Sequence, residues 1–167
     1  MLFRSTDDDY KEVASYYAGL KAASWTIVNE LDVAPKTFVN RISQRLRSPD
    51  GGTEPVGPRI VEFAQNPAQL RNATENAFIA FAPTGALSRG GALVNTGANG
   101  ATTACGTCHG ANLQGMGDVP AIAGRSPVYI SRQLYTFKNG DRNEAGADLM
   151  KAVVAKLDND DIVAIGA

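Results

Sequence analysis

Cys105-Gly106-Thr107-Cys108-His109 is the stretch on which the reading of this chain turns. Cysteines three positions apart share one face of a helical turn, so two sulfurs can meet the two vinyl groups of one porphyrin. The histidine that follows would then lie beneath the iron, and one pentapeptide would offer both a covalent tether and a proximal ligand. These residues use both cysteines and the only histidine of the 167-residue chain. Three other readings stay open. Zinc asks for about four ligands, and beyond Cys105, Cys108 and His109 only a carboxylate or water could complete the set. A thioredoxin-like redox pair asks for a strand before the motif and a helix after it. The flanks here read GANGATTA (97–104) and GANLQGMG (110–117). The third is a chance occurrence of the pattern in an ordinary globular domain.

Composition sets outer limits. Hydrophobic residues make up 44% of the chain, the proportion of a globular protein rather than a disordered one. A formal charge of −1 gives no electrostatic ground for binding nucleic acid. No apolar run approaches the roughly 20 residues that span a bilayer. Met1 to Thr6 lacks a charged segment followed by about 7–15 apolar residues, so no export signal is legible. Covalent haem is attached after export, and the expectation that reconciles the two is a chain that begins inside a longer gene product.

Working outward, Asp7-Asp8-Asp9 followed by YKEVASYYAGLKA predicts a helix over 7–21 with an acidic first turn that suits the helix dipole. Val13, Tyr16, Tyr17 and Leu20 form its apolar side. A comparable pattern opens at Asp158-Asn159-Asp160-Asp161, each acidic start leading to apolar residues around an alanine, Ala14 or Ala164. The pair suggests an internal repeat; two unrelated amphipathic helices are the plainer account. Phe38, Ile42 and Leu46, spaced by four with Arg41, Arg45 and Arg47 between, predict a short basic helix after Pro35. Such a helix would dock on a partner or simply present a solvated face. SPDGGTEPVGP (48–58) reads as a loop, Arg59–Phe63 as a short strand, and Asn66–Phe81 as ambiguous. Ser88 could cap a helix that Gly90 and Gly91 weaken and Gly97 ends.

Downstream, CGTCHG, the turn Leu113-Gln114-Gly115, VPAIAGRSPVYISRQLYTFKNGDR, and a methionine followed by AVVAKLDNDDIVAI carry a family resemblance. From about Ala86 onward the chain resembles class I cytochromes c, and more narrowly the haem domains of the dihaem c4-like and c553-like group. The resemblance implies an all-α class I cytochrome c fold around one covalent haem c with its iron, preceded by a partial domain and an irregular linker. Residues 1–22 would be the closing helix of a first cytochrome domain, 23–83 a linker or insert, and 84–167 the haem domain. The family's last helix runs on beyond the equivalent of Ala167, so about two turns of packing surface are expected to be absent.

The resemblance assigns Pro120 to accept the imidazole N–H and Ile122 to pack on the ring. A ligating imidazole needs such an acceptor in any case. Arg125 is a candidate propionate partner, or else an exposed arginine with none. Tyr129, Leu134 and Phe137 could line the ring or be plain core. With no second histidine, a methionine is the natural sixth ligand. Met116 follows His109 by seven positions, too few to round the macrocycle, whereas Met150 follows by 41 and matches the family's ligand position. Against that stands Met150 as an ordinary helix residue beside Leu149 and Val153. The implied function is a periplasmic electron carrier, not an enzyme, that serves redox partners such as donor and acceptor cytochromes, an oxidase or a dehydrogenase. The alternatives are a haem sensor or peroxidase-like module with an open iron, or the cytochrome subunit of a dehydrogenase or oxidase complex.

Overall fold

The computed structural model describes residues 5–20, 25–69 and 77–167. α1 (Asp7–Ala18) opens on a capping box. Thr6 Oγ1 accepts from the Asp9 N–H at 3.2 Å, and the Asp9 carboxylate accepts from the Thr6 N–H at 2.7 Å. Gly19 closes it, short of the expected end at 21, and residues 21–24 lie outside the described residues. None of its side chains is buried.

Where an irregular linker is expected, the chain forms strands. β1 (Thr26–Glu30), β2 (Val33–Pro35), β3 (Thr37–Val39), β4 (Arg45–Arg47), β5 (Thr53–Pro55), β6 (Val61–Ala64) and β7 (Phe78–Ala82) make three small sheets. β7 is central in the largest, parallel to β1 with Thr26 opposite Phe78 and antiparallel to β6 with Val61 opposite Phe81. β2 pairs with β5, and β3 with β4. Ala34, Val56, Val61, Phe63 and Phe81 are the buried centre of this layer. The ambiguous stretch 66–81 thus ends in β7, and its residues 70–76 lie outside the described residues.

The basic helix expected after Pro35 is a hairpin instead, with Phe38 opposite Leu46 and Val39 opposite Arg45. Asn40 is the physical reason. Its Oδ1 accepts from the N–H groups of Ile42 at 3.0 Å and Gln44 at 2.9 Å, and Ser43 takes φ 60°, so a local side-chain bond closes the turn. β-branched Thr37 and Val39 suit the strand that leads into it.

The half that bears the CxxCH motif is helical, as expected: α2 (Ala86–Thr96), α3 (Gly106–His109), α4 (Pro127–Lys138), α5 (Ala147–Val154) and α6 (Asn159–Gly166). α2 and α6 cross in backbone contact. A Cβ on Gly90 would overlap the Ala164 carbonyl, so the glycine that looked like a weakness in the helix is what admits the crossing. Gly166 meets α4 in the same way, facing Ser131 and the Pro127 carbonyl. Leu93, Leu134, Phe137, Val154, Leu157 and Ile162 fill the space between. Arg89 reaches from α2 to the start of α6, 2.7 Å from Asp161 and 3.1 Å from Asp158. Those two acids form the capping box of α6.

Carboxylates of the β layer cap two of these helices. α2 starts at Gly85, which has no side chain, and Ser88 lies inside the helix rather than at its cap. Glu30 supplies the missing acceptor, taking the Leu87 N–H at 2.7 Å, and Asp32 takes the Thr84 N–H at 3.2 Å. Glu62 accepts from the Val128 N–H at 3.1 Å and from Ser126 Oγ at 2.8 Å at the start of α4. Each such cap contributes about 1 kcal/mol.

Gly90→Ala should force α2 from α6 and cost about 1–3 kcal/mol, as overpacking does, read as a lower midpoint in thermal unfolding of the haem-loaded protein. Gly91→Ala, whose Cβ would meet open space, should not.

The Asp161 N–H, and next the Arg89 guanidinium, hold Asp158 below its ordinary carboxylate value of 3.8. A depressed carboxyl stabilises fully above its unfolded value, and the contribution disappears as pH falls through the folded one. The stability gap between the parent and Asp158→Asn should therefore narrow as pH drops below about 4, as followed by circular dichroism; a constant gap would refute it.

Candidate haem-binding site

The motif folds as a single turn. The Cys105 carbonyl accepts from the N–H groups of Cys108 at 3.3 Å and His109 at 2.9 Å. Cys105 N–H donates to the Val94 carbonyl at 2.9 Å, which hangs the motif from the last turn of α2. The two cysteines are not joined to each other, and Cys105 is half-buried while Cys108 is exposed. Burial pushes the Cys105 thiol up, and the motif follows α2 rather than the strand that a thioredoxin-like pair requires. Zinc fares no better, because no group of three or more His, Cys, Asp or Glu side chains converges among the described residues.

His109 is 8% exposed, and its Nδ1 lies 2.7 Å from the Pro120 carbonyl oxygen. A carbonyl only accepts, so the proton belongs on Nδ1 and Nε2 carries the lone pair. Nε2 has no hydrogen-bond partner among the described residues. The strap that brings Pro120 to the ring is built by backbone bonds. Gly115 N–H donates to the His109 carbonyl at 2.9 Å, Met116 and Val119 exchange bonds of 3.0 and 3.1 Å, and the Leu113 carbonyl accepts from Ile122 and Ala123 at 2.9 and 3.0 Å. Gly115 sits at φ 89°, where a Cβ would fall 2.8 Å from the Val119 oxygen and 2.9 Å from the Ala121 nitrogen.

The remaining sequence candidates separate into two groups. Leu134 and Phe137 are buried in the helical core, and Met150, half-buried on α5, packs against that same cluster. Arg142 stacks over Phe137 with its guanidinium 4.2 Å from the ring centre. Ile122 and Arg125 instead share a cavity of about 260 Å³ with Trp25, Thr26 and Val28 of the β layer. Arg125 is exposed, with Nε 3.4 Å from the Ala121 carbonyl, and Tyr129 is exposed on α4. Met116 is exposed as well, and Met1 lies outside the described residues. Glu62, which caps the helix after the strap, went unnoticed in the sequence, because its partner is 66 residues away.

No family model matches the chain. Among curated proteins, the thiosulfate dehydrogenase electron acceptor of Stutzerimonas stutzeri (strain A1501) is 37% identical over 73 residues, which cover 42% of this chain and 32% of that protein. Cytochrome c4 of Azotobacter vinelandii is 36% identical over 86 residues, covering 48% of this chain and 38% of that one. The chain thus spans only about a third of the length of these two relatives. Of the shorter cytochrome c-554(548) of Halomonas halodenitrificans (strain ATCC 12084 / NCIMB 8669), 77% is matched, at 31% identity over 64 residues and 38% of this chain. The chain belongs to the c-type cytochromes. A solved cytochrome c4 from Acidithiobacillus ferrooxidans has 30% identity and a TM-score of 0.45, covering 48% of this chain and 46% of that one.

Haem c with its iron is the covalent cofactor of this family, and the residues present fit it. A ring nitrogen without a partner among the described residues, on a buried imidazole whose other nitrogen is already held, is the arrangement a ligating histidine requires. Gly115→Ala should displace the strap and release the Nδ1 hydrogen bond. The expected result is a lower thermal midpoint and a changed absorption spectrum in the haem-loaded protein, whereas Gly91→Ala, whose Cβ meets open space on a helical backbone, should leave the spectrum unchanged.

Proposed function

We propose that this cytochrome carries single electrons between redox proteins in the periplasm, with His109 and Met150 as the axial ligands of its haem. The observation that carries the reading is the buried His109 ring, with Nδ1 on the Pro120 carbonyl and Nε2 without a partner among the described residues. Haem c, when bound, supplies a one-electron iron couple. The protein's own part is positioning. Pro120 fixes the imidazole tautomer and its aim, Ile122 presents an aliphatic wall, and Leu134 and Phe137 exclude water. Met150 would hold the iron through its thioether sulfur, a soft ligand that would raise the potential and deny small molecules access. Arg125, and Tyr129 through its hydroxyl, offer donors to the propionates.

The catalytic chemistry belongs to the partners, so this chain is no enzyme in this reading. Donor and acceptor cytochromes, an oxidase or a dehydrogenase are the classes of partner. The name of one relative, a thiosulfate dehydrogenase electron acceptor, favours a dehydrogenase as donor. Among the described residues no helix is long and apolar enough to cross a membrane. Residues 84–167 are proposed as the haem domain and 1–22 as the closing helix of a preceding one. In support, α1 and α6 share a capping box with aspartate at its fourth position, Asp9 and Asp161, and α1 leaves Val13, Tyr16 and Tyr17 exposed, as is Leu20 just beyond its end.

The test is Met150→Ala in the exported, haem-loaded protein. The parent should show the sulfur-to-iron charge-transfer band at the red end of the oxidised spectrum and bind no carbon monoxide. The variant should lose the band, fall in midpoint potential and bind carbon monoxide stoichiometrically. Rapid carbon monoxide binding by the parent would favour the open-iron sensor or peroxidase-like reading. An intact mass without added haem would overturn both.

A further inference from the structure

The β layer carries a cavity of about 550 Å³ that the haem reading does not use. Its volume falls in the range of small-molecule sites, roughly 300–1,000 Å³. One wall is apolar, with a buried base at Phe81 and an exposed edge at Leu31 and Val33. Phe81 is buried and stacks on Phe63 with ring centres 5.9 Å apart, and Leu31 and Val33 extend that surface. The rim is polar and cationic, formed by Lys36, Arg47 and the loop from Ser48 to Thr53.

No acid among the described residues neutralises the cations at this rim. Neither Lys36 nor Arg47 makes an ion pair among the described residues, and Arg47 is steadied by the Phe63 ring, 5.8 Å from its guanidinium. Ser48 Oγ, half-buried, has no hydrogen-bond partner among the described residues. The acid nearest in sequence on a paired strand, Glu54, is engaged elsewhere. It accepts from Thr37 Oγ1 at 2.7 Å and pairs with Arg59 at 3.7 Å. Asp50, exposed in the rim loop, pairs with neither cation. The loop itself is ordered by its own backbone, with Lys36 N–H on the Gly52 carbonyl at 3.0 Å and Ser48 N–H on the Lys36 carbonyl at 2.8 Å.

We propose that this cavity binds a small organic carboxylate with an apolar body. The carboxylate lies between Lys36 and Arg47 within reach of Ser48 Oγ, and the ring or hydrocarbon rests on Phe81, Leu31 and Val33. Two cations at one mouth select for negative charge, and the apolar wall selects against inorganic anions, which gain nothing from it.

The experiment is calorimetric titration of the haem-loaded protein with naphthoate, and with naphthalenemethanol as its neutral counterpart. Naphthoate should bind saturably, one per chain, with Kd on the order of 0.1–1 mM, and the alcohol about tenfold or more weaker. Lys36→Gln with Arg47→Gln should weaken naphthoate binding about tenfold or more, and Arg47→Lys alone should restore most of it. Both side chains are exposed, so an unchanged haem spectrum and thermal midpoint would show the variants intact. No saturable naphthoate binding would overturn the proposal. So would equal affinity for acid and alcohol in the parent, which needs no variant to fold.

Discussion

The backbone contact between α2 and α6 at Gly90 and Ala164 is the constraint on which the helical half depends. Helices that approach this closely must present no side chain at the crossing, and their flanking side chains then interdigitate on both sides of it. Leu93 and Ile162 do so, and α4 joins them through Gly166 against Ser131. The same approach brings Arg89 to the two acids that start α6. One small residue therefore sets a packing distance, and an ion cluster follows from it.

The site inherits its position from that frame. The motif turn hangs from the end of α2 by the Cys105 N–H on Val94, and the strap returns to it through Leu113, Gly115 and Pro120 before α4 begins. Imidazole orientation is thus decided by backbone bonds rather than by a second side chain. That suits a group that must hold one ring angle, since a backbone carbonyl inside a closed loop has little freedom to move.

The β layer is more than a spacer. Glu30 and Asp32 supply acceptors at the start of α2, where Gly85 offers no side chain, Glu62 adds a second acceptor beside the Ser126 cap of α4, and Val28 packs against Ala82, Ala86 and Ala164 at the junction. An exposed helix terminus would take water instead. Replacing water by a carboxylate aligned with the helix dipole links the two halves energetically. Any ligand taken by the cavity above Phe81 would act on the layer that caps α2 and α4.

Local chemistry was legible in the residues alone. CxxCH reports its own geometry because three positions make nearly one helical turn, and the acidic starts at Asp7 and Asp158 mark helix beginnings through the dipole, which needs no distant partner. The resemblance that runs from CGTCHG to AVVAKLDNDDIVAI brought Pro120 and Met150 to notice. The spacing of Phe38, Ile42 and Leu46 misled, because a period of four cannot disclose that Asn40 will fold the chain back between them. Gly90 read as a flaw for a similar reason, since its use lies in Ala164, 74 residues further on. Sequence by itself determined the cofactor chemistry, which is covalent and local. Only the tertiary structure decided the close helix crossing, the capping by Glu30 and Glu62, and the cavity of Lys36 and Arg47, because each depends on groups brought together from separate segments by packing.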